Sequence, residues 1–187
     1  MATFRSRRRR LLLCGLAIPS VGLPGRRASA QNASPWRDPE QHFFQTFLGD
    51  LPAELEAAGK AGKKGLLIVY EMEGCPHCTW LHRMALREVS VQQYYRQHFA
   101  ALKIDVRGST SLAGFDKQNL TESAFAVQQK VRGTPTCVFY DLQGREVVRF
   151  TGAPRDKQEF MLLGEYVADG HFNRSGFPEY RRLKTGS

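Results

Sequence analysis

Cysteine is scarce in this 187-residue chain: there are four, and Cys14 lies in an N-terminal stretch set apart by its composition. The other three, Cys75, Cys78 and Cys137, are an odd number, which excludes a framework of stapling disulfides. The roughly 157 residues beyond that stretch can bury a sufficient core without staples. The apolar stretch Leu11 to Ile18 is broken by Pro19 and falls well short of the roughly 20 residues that span a bilayer. Acidic residues are missing altogether from positions 1–30, which hold seven arginines. Setting those aside leaves 20 Lys and Arg against 18 Asp and Glu, so the formal charge of +9 belongs mostly to the N-terminus. A remainder near +2 lacks the clustered, sustained positive charge of a phosphate-binding face, which excludes a nucleic-acid partner for the folded part. A second Cys-x-x-Cys is also missing, so Cys75, Cys78 and His82 lack a partner pair to close a zinc tetrahedron. Thr79, not histidine, follows Cys78, which excludes c-type haem attachment.

What is present at the N-terminus has the order of a targeting peptide. A basic run, Arg5 to Arg10, precedes the short apolar stretch, and the small-residue site Ala28-Ser29-Ala30 follows. Cleavage is expected near Ala30. Arg7 to Leu12 also fits a twin-arginine signal, so the Sec and Tat routes both stay open, and an organellar transit peptide is the alternative. Leu13 before Cys14 does not fit a lipoprotein site, and Cys14 reads as apolar filler. Export leaves residues 31–187 as one domain, with its core over about 40–170, in the periplasm.

Along that domain Asp38-Pro39 predicts a helix start, with Phe43, Phe44, Phe47 and Leu48 on one face. Pro52 and Gly59 are expected to interrupt, and residues 60–65 to form a polar connection. Leu66 to Tyr70 is a continuous apolar, β-branched run, the pattern of a strand buried on both faces. Trp80, Leu81, Met84 and Ala85 then recur at helical spacing, and Val91, Tyr94, Tyr95 and Phe99 suggest a second helix. A strand is expected over 100–106 and an irregular loop over 107–120. Thr121 is placed to cap a further helix. Strands over 136–141 and 145–150 flank Gln143-Gly144 as a hairpin, and a last helix is expected over 155–169. The basic, aromatic tail to Ser187 suggests no further element. Strands alternating with helices and ending in an antiparallel pair require an α/β fold, a mixed sheet covered on both faces.

The chemistry concentrates in Cys75-Pro76-His77-Cys78. Between a buried strand and a helix, the first cysteine falls at a helix N-terminus, where unpaired N–H groups favour a thiolate, the nucleophilic form. Cys78, one turn on, is within reach of a disulfide. Exchange then has two steps, attack at Cys75 through a mixed disulfide and resolution by Cys78. Pro76 suits the first helical turn. His77 adds positive character beside the sulfur, which favours the reduced form and so a more oxidising pair.

Tyr70 to Trp80, together with Gly133-Thr134-Pro135-Thr136, resembles the thioredoxin superfamily over nearly all of residues 40–170. The resemblance implies a three-layer fold, a mixed β-sheet flanked by helices and ending in a β-hairpin and a helix. It implies that Pro135 is a cis-proline facing the cysteines, that Thr134 and its neighbours pair with substrate backbone, and that Trp80 either packs in the core or forms an apolar rim for substrates. No metal or organic cofactor is implied, because the Cys75–Cys78 pair is itself the redox group. Within the superfamily, Leu102 to Val106 and Leu120-Thr121-Glu122 are most similar to exported thioredoxins of the SoxW type. These imply a monomer that reduces protein disulfides and exchanges electrons with a membrane thiol partner. Pro76-His77 is instead the dipeptide of DsbA-type oxidases, so the direction of electron flow stays open. Val69 occupies the place where cytosolic thioredoxin carries a buried acid; Glu71 or Glu73 is the candidate substitute for proton transfer, against the plainer expectation that strand-end acids are solvated. A copper or zinc chaperone on the same fold is the alternative of another class. Cys137 reads as a buried small hydrophobe, or else as a third sulfur near the site, depending on which face of its strand it occupies. His82, His98 and His171 have no partner visible in sequence and read as surface or helix-face residues.

Overall fold

A computed structural model describes residues 34–186 of the chain. The signal expected over 1–30, with Cys14, lies outside them. Helix α1 (Pro39–His42) starts where Asp38 accepts a hydrogen bond from the Glu40 N–H, but it ends after one turn. Phe43 and Phe44 are buried just beyond it, while Leu48, expected on the same face, is exposed. Pro52 does not interrupt a helix but opens one. It sits in the first turn of α2 (Leu51–Lys60), where no N–H is needed, and the Asp50 carboxylate caps the Ala53 N–H at 2.9 Å. Gly59 is accommodated in the last turn.

Strand β1 (Gly65–Glu71) is buried along its whole length, as its apolar run predicts. It pairs in parallel with β2 (Phe99–Asp105) and antiparallel with β5 (Thr136–Tyr140), which pairs antiparallel with β6 (Glu146–Thr151). The sheet order is β2-β1-β5-β6. Side chains of a strand alternate between faces. Leu67 and Val69, with Cys137 and Phe139 of β5, therefore face one core, and Leu66, Ile68 and Tyr70 face another. The first core is covered by α3 (Pro76–Leu81), α4 (Val89–His98) and α6 (Lys157–Ala168), the second by α2 and α5 (Glu122–Gln128). Three layers result, a mixed sheet between two sets of helices. In the first core the rings of Tyr95 and Phe160 stack with centroids 4.5 Å apart, and the Tyr95 hydroxyl donates to the Phe160 carbonyl at 2.6 Å.

Two further regions depart from expectation. The segment 107–120 contains a short hairpin, β3 (Ser111–Ala113) and β4 (Asn119–Thr121), whose three-residue strands are too brief to show periodicity. The tail folds into a helical turn (His171–Asn173) and α7 (Phe177–Thr185). Tyr180 is buried against the first core, and Arg181 pairs with the buried Glu159 of α6, a long-range contact that local pattern cannot reveal.

A Cβ added at Gly65 would lie 1.9 Å from the Tyr140 carbonyl oxygen. Gly65→Ala is expected to destabilise the protein by about 2 kcal/mol or more, because β1 would have to move away from β5. Urea unfolding checks this, and an unchanged midpoint would contradict the close approach.

Candidate active site

The site forms where β1 ends. Gly74 turns the chain with φ +73°, a conformation that favours glycine, and Cys75 follows as the N-cap of α3. The Cys75 Sγ accepts the Cys78 N–H at 3.2 Å, so a helix-end donor points at the sulfur as the motif predicts. Pro76 occupies the first turn, which α3 enters without losing a hydrogen bond. Cys75 and Cys78 are paired as a disulfide with their Cα atoms 5.3 Å apart, and both are almost fully buried, whereas Pro76 and His77 are exposed.

The second part of the site comes from the loop ahead of β5. The Thr134–Pro135 peptide bond is cis. The Thr136 hydroxyl donates to the Gly133 carbonyl at 2.7 Å and closes the turn. Thr134 then meets the motif: its hydroxyl donates to the Cys75 Sγ at 3.3 Å, and its carbonyl oxygen lies 3.5 Å from the same sulfur. Residues 59 positions apart in sequence thus converge on one atom. Beside this loop runs a groove lined by Met72, Val127, Val131 and Thr134, with Arg107 and Arg132 among its charged residues.

Trp80 is not a core residue. Its ring is half-exposed and its Nε1 donates to the Pro154 carbonyl at 3.1 Å, while Cys78 and Leu81 are the buried residues of α3. Glu73 is exposed, in line with the solvated expectation, but Glu71 is not. Strand alternation puts Glu71 on the same face as Val69, where it is 8% exposed. Both its carboxylate oxygens meet His82 Nε2, at 2.8 and 2.9 Å. His82, which shows no partner in sequence and reads there as a surface or helix-face residue, is thus paired; the contact joins a strand end to a helix and has no local signature. No group of three or more His, Cys, Asp or Glu side chains among the described residues is placed to hold an ion. Val69 is fully buried in apolar surroundings.

Cys137 lies opposite Val69 on the face of the first core, fully buried and free of any disulfide. Burial first, and then the nearby Glu71 carboxylate, push its thiol far above the ordinary range. The geometry favours the packing reading over the third-sulfur one.

The mixed sheet, its two helical layers and the paired cysteines opposite a cis-proline define a protein of thioredoxin fold. Residues 51–168 match the model of the thioredoxin-like domain family, and the chain belongs to that family. A search of curated proteins found no match. Among solved structures, a thioredoxin-fold protein from Helicobacter pylori is similar with 21% identity and a TM-score of 0.59, over 67% of this chain and 86% of that one. The DsbH oxidoreductase is similar with 17% identity and a TM-score of 0.52, over 77% and 97%. A putative disulphide isomerase from Bacteroides thetaiotaomicron shares 21% identity with a TM-score of 0.51, over 71% and 94%.

Three buried acids make the fold sensitive to alkali. Burial holds Cys137, Tyr70 and Tyr95 protonated beyond their ordinary values of 9.0, 10.0 and 10.0. Above pH 9 the unfolded chain releases protons that the native one keeps, so stability falls as pH rises. Urea midpoints are expected to drop progressively from pH 9 upward, and Cys137→Ala to reduce the loss between pH 9 and 10. A flat profile to pH 11 would contradict the burial of these groups.

Proposed function

We propose that the protein is an exported thiol–disulfide oxidoreductase that exchanges dithiol for disulfide through Cys75 and Cys78, working in the periplasm as a reductase or electron carrier of the SoxW type. The observation that carries this reading is the convergence on Cys75 Sγ of the Cys78 N–H and the Thr134 hydroxyl. Two donors aimed at one sulfur stabilise a thiolate there. Cys75 is the nucleophile and Cys78 the resolving thiol. Thr134 and Pro135 present the edge along which an extended protein segment lies, and half-exposed Trp80 flanks it. Partners are proteins bearing thiols or disulfides, with a membrane thiol donor or acceptor restoring the pair. No metal or organic cofactor enters the reaction, since the two sulfurs hold the electron pair. Residues 1–30 serve as the export signal, and residues 31–187 act as a monomeric domain. No helix among the described residues is long and apolar enough to cross a membrane.

A second reading, a DsbA-like oxidase, is favoured by one feature, the exposed Pro76-His77 dipeptide beside the reactive sulfur. The reduction potential of the Cys75–Cys78 pair separates the two. A value near about −270 mV supports the reductase, and one near about −120 mV the oxidase. Cys75→Ser is expected to abolish turnover of a protein disulfide, while Cys78→Ser accumulates a mixed disulfide at Cys75, seen as an added mass removable by reductant. His77→Ala is expected to make the pair more reducing, with a tenfold change in equilibrium constant for about every 30 mV. Full turnover by Cys75→Ser would remove the proposed nucleophile.

A further inference from the structure

We propose that His82, held by Glu71, is the group that takes the proton from the Cys78 thiol when Cys78 resolves the mixed disulfide. The proposal rests on the thiol–disulfide exchange reading above and assigns the proton of its second step. Cys78 is 5% exposed, so bulk water has little access to its sulfur. A thiol with the ordinary pKa of about 8.5 is mostly protonated near neutrality, and only the thiolate attacks. An internal acceptor is needed within reach.

Four observations point to His82. It lies four residues after Cys78 on a continuous helix, and its N–H donates to the Cys78 carbonyl, so the two side chains share a face. Both line one groove, together with Cys75 and Glu71. The Glu71 carboxylate can only accept, and it takes the hydrogen of Nε2 through both oxygens. That leaves the lone pair of neutral His82 on Nδ1, which makes no hydrogen bond to the described residues and is free to receive a proton. Finally, the helix changes at His82 from α to a single π turn (His82–Leu86), closed by the Arg87 N–H to the His82 carbonyl at 3.1 Å. Such turns re-aim side chains within a helix.

The charged groups around His82 come from several elements. Glu71 approaches from β1, Glu73 from the loop after it and Arg83 from its own helix. The Phe44 ring packs at 5.9 Å between centroids. Lys103 of β2 sits over the same ring and pairs with Glu40, and Asp105 lines the adjoining groove with Glu71. Glu73 lines the same groove but is exposed, and it makes no hydrogen bond to either cysteine among the described residues. Glu71 accepts the His82 N–H through both oxygens, so its charge acts on the step through the ring.

The step balances as follows. With substrate sulfur bonded to Cys75, the Cys78 S–H proton passes to His82 Nδ1, directly or through water in the groove. The Cys78 thiolate attacks Cys75 Sγ, the Cys75–Cys78 bond forms, and the substrate leaves as a thiolate with the electron pair of the broken bond. Its proton comes from solvent, and His82 returns its own to solvent. The substrate sulfur is reduced and Cys78 oxidised. In the opposite direction His82 gives the proton back to Cys78.

The test uses reduced full-length protein carrying Cys14→Ser, mixed with an aromatic disulfide whose thiolate is coloured. Attack by Cys75 releases one thiolate and attack by Cys78 a second. For His82→Gln the first phase is expected to be unchanged and the second slowed about a hundredfold near pH 6.5. Its rate should then climb tenfold per pH unit, following solvent ionisation of the thiol, whereas the parent depends less steeply on pH. Added imidazole should restore part of the loss. Glu71→Gln, which keeps a hydrogen bond to the ring without the charge, is expected to slow the second phase alone and by less. A second phase in His82→Gln with parental rate and pH slope would overturn the assignment, as would equal slowing of both phases without imidazole rescue. Failure of the parent itself to release a second thiolate would instead sink the exchange reading.

Discussion

The site depends on the burial of β1 between two strands and two helical layers. Every side chain of this strand is enclosed, so its position is over-determined by pairing with β2 and β5 and by packing above and below. A strand held so firmly delivers its C-terminal end to one place. Cys75 begins there, and the first turn of α3 inherits that placement. Because β5 is the other neighbour of β1, the Thr134–Pro135 turn that feeds it is brought to the same end of the sheet. The contact between Thr134 and the Cys75 sulfur is a consequence of that pairing.

The same constraint explains the division of labour between the faces. Alternation along β1 sends Tyr70 into one core, where its hydroxyl meets that of Tyr140 at 3.0 Å, and sends Glu71 to the face beneath the cysteine-bearing helix. A carboxylate in that position must be paired or solvated by something other than bulk water. His82 meets the need from the far end of the helix that starts at Cys75. The polar pair therefore ties the strand end to the helix and borders the groove on which the cysteines open. Cys137, two residues after Pro135, is directed into the apolar interior on that side and is free of any disulfide.

How much of this was legible in the residues alone varied with the range of the interaction involved. Leu66 to Tyr70 announces a doubly buried strand because every position is apolar, the run is of strand length and it contains β-branched residues. Asp38-Pro39 and Thr121 announce helix starts because capping is a contact between near neighbours. Pro52 was misread, because proline both breaks helix interiors and opens first turns, and only the capping Asp50 before it separates the two cases. The short hairpin β3–β4 and helix α7 escaped because three-residue strands carry no period and because α7 is anchored by single contacts, Tyr180 and Arg181, to distant elements.

The placement of Cys75 at a helix start with Cys78 one turn later was determined by sequence, since it depends only on local geometry. So was the α/β class, which follows from the alternation of strand and helix patterns. Tertiary structure alone decided which donors surround the Cys75 sulfur, that Trp80 is half-exposed and does not fill the core, that Cys137 lies inside, and that Glu71 is shielded and bound to His82. The reason is common to all four. Each depends on which face of an element meets which neighbour, and that is set by strand pairing and layer packing between residues far apart in the chain.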